Sequence, residues 1–234
     1  MTFEEQYQKL KANGKIYGAI SSDRIRMLSV PRIPSNILEK LRKVEDVTCE
    51  LSDAMDALGF CSSISVIPAT EIPPLVPSYR AVGIAVTTRS CPEQVFNIIE
   101  RSERKPQMFV RDMPYLAEKD SIWVVEARGC ECSHFGEIAA RMQQSRGMVG
   151  TIVDGMIRDG ETIKATGYPF WCRGLTPYTG MKRIEVVELN GPVTIHNVQV
   201  RPGDLVAADG NGICVVPHSI VEKVFDYMRG KDIC

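Results

Sequence analysis

Two pairs of residues in this chain have types and spacing that suit chemistry. The first is Arg158-Asp159, close behind the apolar run Met148 to Val153. Such a run reads as a buried strand, and a strand that stops in a polar turn delivers its last side chains to the sheet edge, where α/β folds bind ligands. Here the strand is expected to stop at Asp154-Gly155. Arginine can hold a carboxylate or a keto oxygen, and aspartate can hold a hard cation, so one dipeptide can serve an anion and its metal. A surface ion pair or a helix cap is the plainer reading. The second pair is Gly136-Glu137, which opens Gly136-Glu137-Ile138-Ala139 at a helix start. Free N–H groups and the helix dipole make such a start an anion site, although ordinary helix initiation needs the same residues.

Other constellations say less. In Pro169-Phe-Trp-Cys-Arg173-Gly174 the arginine could line a pocket, or the segment is a loop with Phe170 and Trp171 in the core and Arg173 in water. Arg201-Pro-Gly-Asp204 and Asp209-x-x-Gly212 read mainly as turns. Cys130-Glu-Cys132-Ser-His134 invites zinc, but the sequence supplies no second ligand arm. The three histidines are dispersed, and no GxSxG, Walker or GxGxxG motif occurs.

Several elements must position these residues. A charged amphipathic helix covers 3 to 13 and stops near Gly14. Ser35 is expected to cap a helix over Asn36 to Val44, after a linker marked by Pro31 and Pro34. Thr48 to Leu58 is a helix with Leu51, Met55 and Leu58 on one face, and Gly59 stops it. Pro68 to Pro77 is a loop or irregular edge. Strands follow at Arg80 to Thr88 and Ser121 to Glu126, with helices at Pro92 to Glu100 and Gly136 to Arg146. The later chain turns to short strands: Arg183 to Glu188, a turn flanked by Val193 and Val198, and Leu205 to Ala208 paired with Ile213 to Val216. Ser219 is expected to cap a last helix, Ile220 to Met228.

The totals narrow the class. The 234 residues can bury one sizeable core, with residues 1–46 as an N-terminal helical extension and 47–234 as the main domain. A net charge of -1 gives no general attraction to nucleic acid or an acidic membrane. No apolar run approaches the roughly 20 residues that span a bilayer. With no secretory signal at the start, eight irregularly spaced cysteines are expected to be reduced thiols in the cytoplasm.

Together the motifs resemble one family. Leu51-Ser-Asp-Ala-Met-Asp-Ala-Leu-Gly59, Val82-Gly-Ile-Ala-Val-Thr87 and Gly136-Glu137 come first. Gly150-x-x-x-Asp154-Gly155-x-x-Arg158-Asp159, Pro169-Phe-x-x-Arg173-Gly174 and Arg201 to Pro217 follow in order. The set is similar to the RraA-like family, which includes the 4-hydroxy-4-methyl-2-oxoglutarate (4-carboxy-4-hydroxy-2-oxoadipate) aldolases, over about residues 47 to 228. The chain departs from the pattern at Glu126, where the family often has Asp, and at Cys130 to His134.

The resemblance implies an α/β fold of the swivelling β/β/α type, assembled as a homotrimer or a homohexamer with sites at subunit boundaries. It implies a metal-dependent (class II) lyase that cleaves a 4-hydroxy-2-keto acid to release pyruvate, with oxaloacetate decarboxylation from the same enolate. Asp159 would bind Mg²⁺ or Mn²⁺, largely completed by water, and Arg158 would contact the keto oxygen. The amides of Gly136, Glu137, Ile138 and Ala139 would take the carboxylate, with Glu137 near the metal's waters. The same family implies an alternative, a non-catalytic regulator that binds a ribonuclease. The small-molecule substrate is then the main partner, with no nucleic acid and no membrane.

Overall fold

A computed structural model describes residues 1–14, 16, 20–93, 116–127, 129–181 and 183–234. The expected helix from Pro92 to Glu100 lies outside these residues from position 94 onward, and Pro92 itself ends a strand. Ten strands and six helices carry the described chain. They are α1 (Phe3–Ala12), α2 (Ser35–Leu41), α3 (Val47–Ala57), β1 (Val66–Pro68), β2 (Ala81–Pro92), β3 (Ser121–Glu126), α4 (Glu137–Ser145) and β4 (Gly150–Ile157). Then come α5 (Gly160–Thr166), β5 (Phe170–Leu175), β6 (Ile184–Leu189), β7 (Val193–Ile195), β8 (Val198–Val200), β9 (Leu205–Ala208), β10 (Gly212–Val216) and α6 (Val221–Gly230).

The main sheet runs in the order β1-β10-β9-β2-β3-β4-β5, and β6 pairs with the far end of the long β2. Strands β2 to β5 are mutually parallel, while β1, β10, β9 and β6 join antiparallel. In this α/β arrangement helices join the parallel strands β3, β4 and β5, and hairpins come late, as expected. The central strands are apolar throughout because both faces are covered. Along β3, Trp123 and Val125 enter the larger apolar cluster, and Ile122 and Val124 the other. Helices α3 and α6 contribute Leu51, Met55, Val224 and Met228 to the first cluster. Val193, Ile195, Val198 and Val200 of the β7–β8 hairpin belong to the second.

The N-terminal helix begins in a capping box. The Glu5 N–H donates to Thr2 Oγ1 at 3.2 Å, and the Thr2 N–H donates to Glu5 Oε2 at 2.7 Å. Residues Tyr7, Ile25, Ile37, Leu38 and Leu41 pack into the first apolar cluster with the sheet. Arg42 donates to Val82 O at 3.0 Å and pairs with Asp120 at 2.8 Å.

The structure changes four local expectations. Strand β4 does not stop at Asp154-Gly155; it continues to Ile157. The register with β5 shifts there, because Asp154 and Gly155 stand opposite Arg173 alone between the pairs Val153↔Cys172 and Met156↔Gly174. The dipeptide is a β-bulge rather than a turn. Phe170 to Leu175 is a strand, not a loop. Ser35 is the first residue of α2 and Pro34 occupies the cap, so no side-chain cap forms. Ser219 lies within a short 3-10 turn, and Ile220 precedes α6. In both helices the backbone of a proline begins the turn, since Ile37 N–H reaches Pro34 O and Ile220 N–H reaches Pro217 O, each at 3.0 Å.

The bulge explains Asp154. Its carboxylate is 0% exposed, pairs with Arg173, and accepts the His196 N–H at 2.9 Å. One strand over, Glu126 accepts the Thr194 N–H at 2.7 Å. Since Glu126 and Asp154 are neighbours in the β3–β4 register, two adjacent carboxylates hold β7 by alternate N–H groups. No helix among the described residues is long and apolar enough to cross a membrane. Removing one member of a buried ion pair leaves an uncompensated charge and costs about 3–5 kcal/mol. Arg173→Ala, which strands the fully buried Asp154 carboxylate, should therefore lose about that much in urea unfolding, and Asp154→Ala less, because Arg173 reaches water.

Candidate active site

The end of β4 and the start of α4 meet through backbone bonds. The His134 N–H donates to Met156 O, and the Arg158 N–H donates to Phe135 O, each at 2.9 Å. Those two bonds bring Gly136, the cap of α4, against Arg158 and Asp159. Asp159 adopts φ 61 and ψ 33, a left-handed conformation that aspartate tolerates better than most residues. It stands at the cap of α5, yet its side chain makes no capping bond there. Instead Asp159 Oδ2 accepts the Glu137 N–H of α4 at 3.1 Å. A carboxylate is favoured there by the unpaired first-turn amides and by the helix dipole. Arg158 Nε lies 3.5 Å from the same oxygen, and both side chains are 40% exposed.

Gly136 is required by contact rather than by backbone angle. A Cβ at this position would sit 2.4 Å from Asp159 Oδ2 and 3.2 Å from Arg158 Nε. The four expected residues Gly136, Glu137, Arg158 and Asp159 are thus brought together. One detail differs from expectation: the Glu137 N–H is already taken by Asp159, which leaves the amides of Gly136, Ile138 and Ala139 for a ligand anion. The Glu137 carboxylate pairs with Arg141 one turn along α4.

Asp159 offers one partly exposed carboxylate, and among the described residues no three His, Cys, Asp or Glu side chains gather as a metal site. That donor set fits a hard cation that keeps most of its waters, Mg²⁺ or Mn²⁺. It does not fit zinc, which takes several nitrogen or sulfur ligands. Cys130 and Cys132 are buried, and burial first, then the neighbouring Cys132 and Cys91, pushes the Cys130 thiol up to about 12. The Cys130–His134 segment is packing that leads into Gly136.

Of three further residues, Arg141 could be placed from sequence, whereas the partners of Arg173 and Leu175 could not. Phe170 and Trp171 are in the core and Arg173 lies toward water, where it is the counter-ion of buried Asp154. Leu175 lies over Gly160, next to Asp159, where a Cβ on the glycine would come within 2.9 Å of Leu175 Cδ1. Both facts depend on the β4–β5 register. Arg141 was the legible one, four residues after Glu137 on a helix.

The sequence matches the family described as RraA-like (Aldolase/RraA) over residues 48–215. Protein DlpA from Legionella pneumophila is 29% identical over 192 residues, which are 81% of this chain but only 29% of the Legionella protein. The chain thus spans less than a third of that relative. A Halalkalibacterium halodurans protein named "Putative 4-hydroxy-4-methyl-2-oxoglutarate aldolase" is 29% identical over 185 residues, 79% of this chain and 78% of its own length. The crystal structure of Streptomyces coelicolor RraAS2, described as an unusual member of the RNase ES inhibitor RraA protein family, superposes with a TM-score of 0.70 at 25% identity. It covers 86% of this chain and 95% of its own.

Burial also sets a pH dependence next to the site. It pushes the His134 imidazole down from 6.5 to about 4. The unfolded chain therefore takes up this proton before the folded one. The stability held by the neutral ring is complete above pH 6.5 and falls as pH drops from 6.5 toward 4, by at most about 1.4 kcal/mol per unit. The urea midpoint of the wild type should fall relative to that of His134→Leu as pH drops from 7.5 to 4.5. Parallel profiles would show that His134 does not set this dependence.

Proposed function

The chain belongs to the RraA-like family, and we propose that within it the protein is a divalent-cation-dependent lyase that cleaves a 4-hydroxy-2-keto acid and releases pyruvate. The observation that carries the proposal is the contact at Gly136. Only a residue without a side chain lets Asp159 and Arg158 approach the open amides of a helix start so closely. A structural cap alone would not call for a guanidinium at the same oxygen. The aldolase name of the Halalkalibacterium relative supports the same reaction class.

The chain's residues divide the work. The N–H groups of Gly136, Ile138 and Ala139 receive the substrate carboxylate at the α4 start. Arg158 places a fixed positive charge beside the keto oxygen. Breaking the C3–C4 bond sends an electron pair toward that oxygen and leaves C4 as a carbonyl, and a preorganised cation stabilises the charge as it grows. Asp159 holds Mg²⁺ or Mn²⁺, which supplies Lewis-acid stabilisation of the same charge when bound. Glu137, fixed by Arg141, holds the proton leaving the 4-hydroxyl and returns it to C3. Loss of CO₂ from oxaloacetate leaves the same enolate, so decarboxylation belongs to the same site.

The second reading, a non-catalytic regulator, is favoured by the similarity to RraAS2. The two readings separate on Asp159. With Mg²⁺ or Mn²⁺ the protein should release pyruvate from 4-hydroxy-2-keto acids and CO₂ from oxaloacetate, and chelation should abolish both. Asp159→Ala should lose about 10³-fold in kcat/KM and Arg158→Lys about 10²-fold, with Asp159→Ala losing in unfolding no more than the roughly 1–2 kcal/mol of a lost helix-start cap. A broad panel of 2-keto acids with no turnover would sink the lyase reading. A stable ribonuclease complex that survives Asp159→Ala would establish the regulator.

Gly136→Ala isolates the contact itself. The added methyl must displace Asp159 or the helix start, so activity should fall at least as far as in Arg158→Lys. Wild-type kcat/KM in Gly136→Ala would show that the contact is not needed.

A further inference from the structure

Ser133 is buried, at 5% exposure, in the segment that leads into Gly136. The backbone there is tied on both sides. The Ser133 N–H donates to Tyr178 O at 3.0 Å, and the His134 N–H donates to Met156 O at 2.9 Å. A Cβ on Gly180 would sit 2.3 Å from Ser133 O, so the 178–180 segment packs against it backbone to backbone. The Ser133 hydroxyl donates to Phe135 O at 2.6 Å. A serine bonded two residues along its own chain is common local structure, and a buried hydroxyl needs some acceptor. The choice of acceptor carries the information.

Phe135 O already accepts the Arg158 N–H at 2.9 Å. Its need for a partner is met without the serine. The hydroxyl uses the second lone pair, and two donors from two segments hold the plane of the peptide that joins Phe135 to Gly136. A trans peptide is rigid and planar, with its N–H opposite its C=O. Holding Phe135 O therefore sets the direction of the Gly136 N–H, one of the amides left for a ligand anion. Donors on the carbonyl also polarise the same peptide unit and strengthen its N–H as a donor. The Phe135 ring, 2% exposed, makes edge contacts with Trp123 at 4.8 Å and Phe170 at 5.6 Å between centroids. With the ring anchored, this peptide can still rotate, and the Ser133 hydroxyl opposes that rotation.

We propose that Ser133 is a positioning residue for this site: its hydroxyl aims and polarises the Gly136 N–H that receives the substrate carboxylate. The proposal rests on the lyase reading above and adds to it a residue that acts only through Gly136. The amide holds the carboxylate in the ground state and the transition state alike, so misaiming it weakens binding and spares the chemical step. Asp159 keeps its own contacts, so the cation is held as before.

The test uses the full chain and Ser133→Ala, which keeps the backbone bonds of the segment. Calorimetry reads the affinity for Mn²⁺ alone and for pyruvate with Mn²⁺ present, and pyruvate release from 4-hydroxy-4-methyl-2-oxoglutarate gives KM and kcat. In Ser133→Ala, KM and the pyruvate Kd should rise about tenfold, with kcat within about twofold and Mn²⁺ affinity unchanged. Ser133→Thr, which keeps the hydroxyl, should restore both. Ser133→Cys, a weaker donor of similar size, should lie between serine and alanine, and it carries the test if the alanine variant does not fold. Unchanged KM and pyruvate Kd overturn the positioning role and leave the lyase reading standing. So does a joint loss of Mn²⁺ affinity and thermal stability that Ser133→Thr does not restore. Pyruvate binding that weakens in Ser133→Ala, with no 2-keto acid turned over by the wild type, upholds the aimed amide and overturns the lyase reading. A wild type that neither binds pyruvate nor releases it overturns both.

Discussion

The hydrogen bond from the Glu137 N–H to Asp159 Oδ2 joins the two halves of the site, and much of the local structure depends on it. Asp159 follows the end of β4, and Glu137 begins α4. Their meeting requires that the loop after β3 be tied to β4, as the His134 and Arg158 backbone bonds do. It requires no side chain at position 136. It also requires Asp159 to accept a left-handed backbone so that its carboxylate turns away from its own helix and toward the neighbouring one. That backbone costs about 1 kcal/mol or more, which the helix-dipole contact partly offsets.

The same carboxylate then stands next to a guanidinium and two first-turn amides. An anion and a hard cation can be held within a few ångströms because the fixed charges alternate in sign. The helix start is positive, Asp159 negative and Arg158 positive. Such preorganisation suits a reaction in which charge grows on one oxygen. It would do little for chemistry that needs a strong nucleophile, and the buried, protonated Cys130 next door offers none.

Acidic residues have a second, structural use in this fold. Glu126 and Asp154, neighbours across β3 and β4, take the alternate N–H groups of Thr194 and His196. The short hairpin covers one face of the sheet with Val193, Ile195, Val198 and Val200, and the two carboxylates fix its position. Arg173 and Arg89 supply the compensating charges.

Period and punctuation determined much from sequence alone. The run at Ser121 to Glu126 and the pair Leu205 to Ala208 and Ile213 to Val216, split by a turn, read as buried strands, and they are. The glycine stop at Gly59 is a local signal, and it holds. Gly136, Glu137, Arg158 and Asp159 were legible as a set because each stands at an element boundary, where backbone groups are open. Tertiary structure alone decided how β4 ends. Asp154-Gly155 has the composition of a turn, but pairing with β5 carries the strand past it, and Arg173, from the solvent side, gives the buried Asp154 its counter-ion. It alone decided that Asp159 reaches another helix rather than its own, and that Leu175 lies beside it. Those facts follow from strand register and loop geometry, which depend on contacts between residues far apart in the chain.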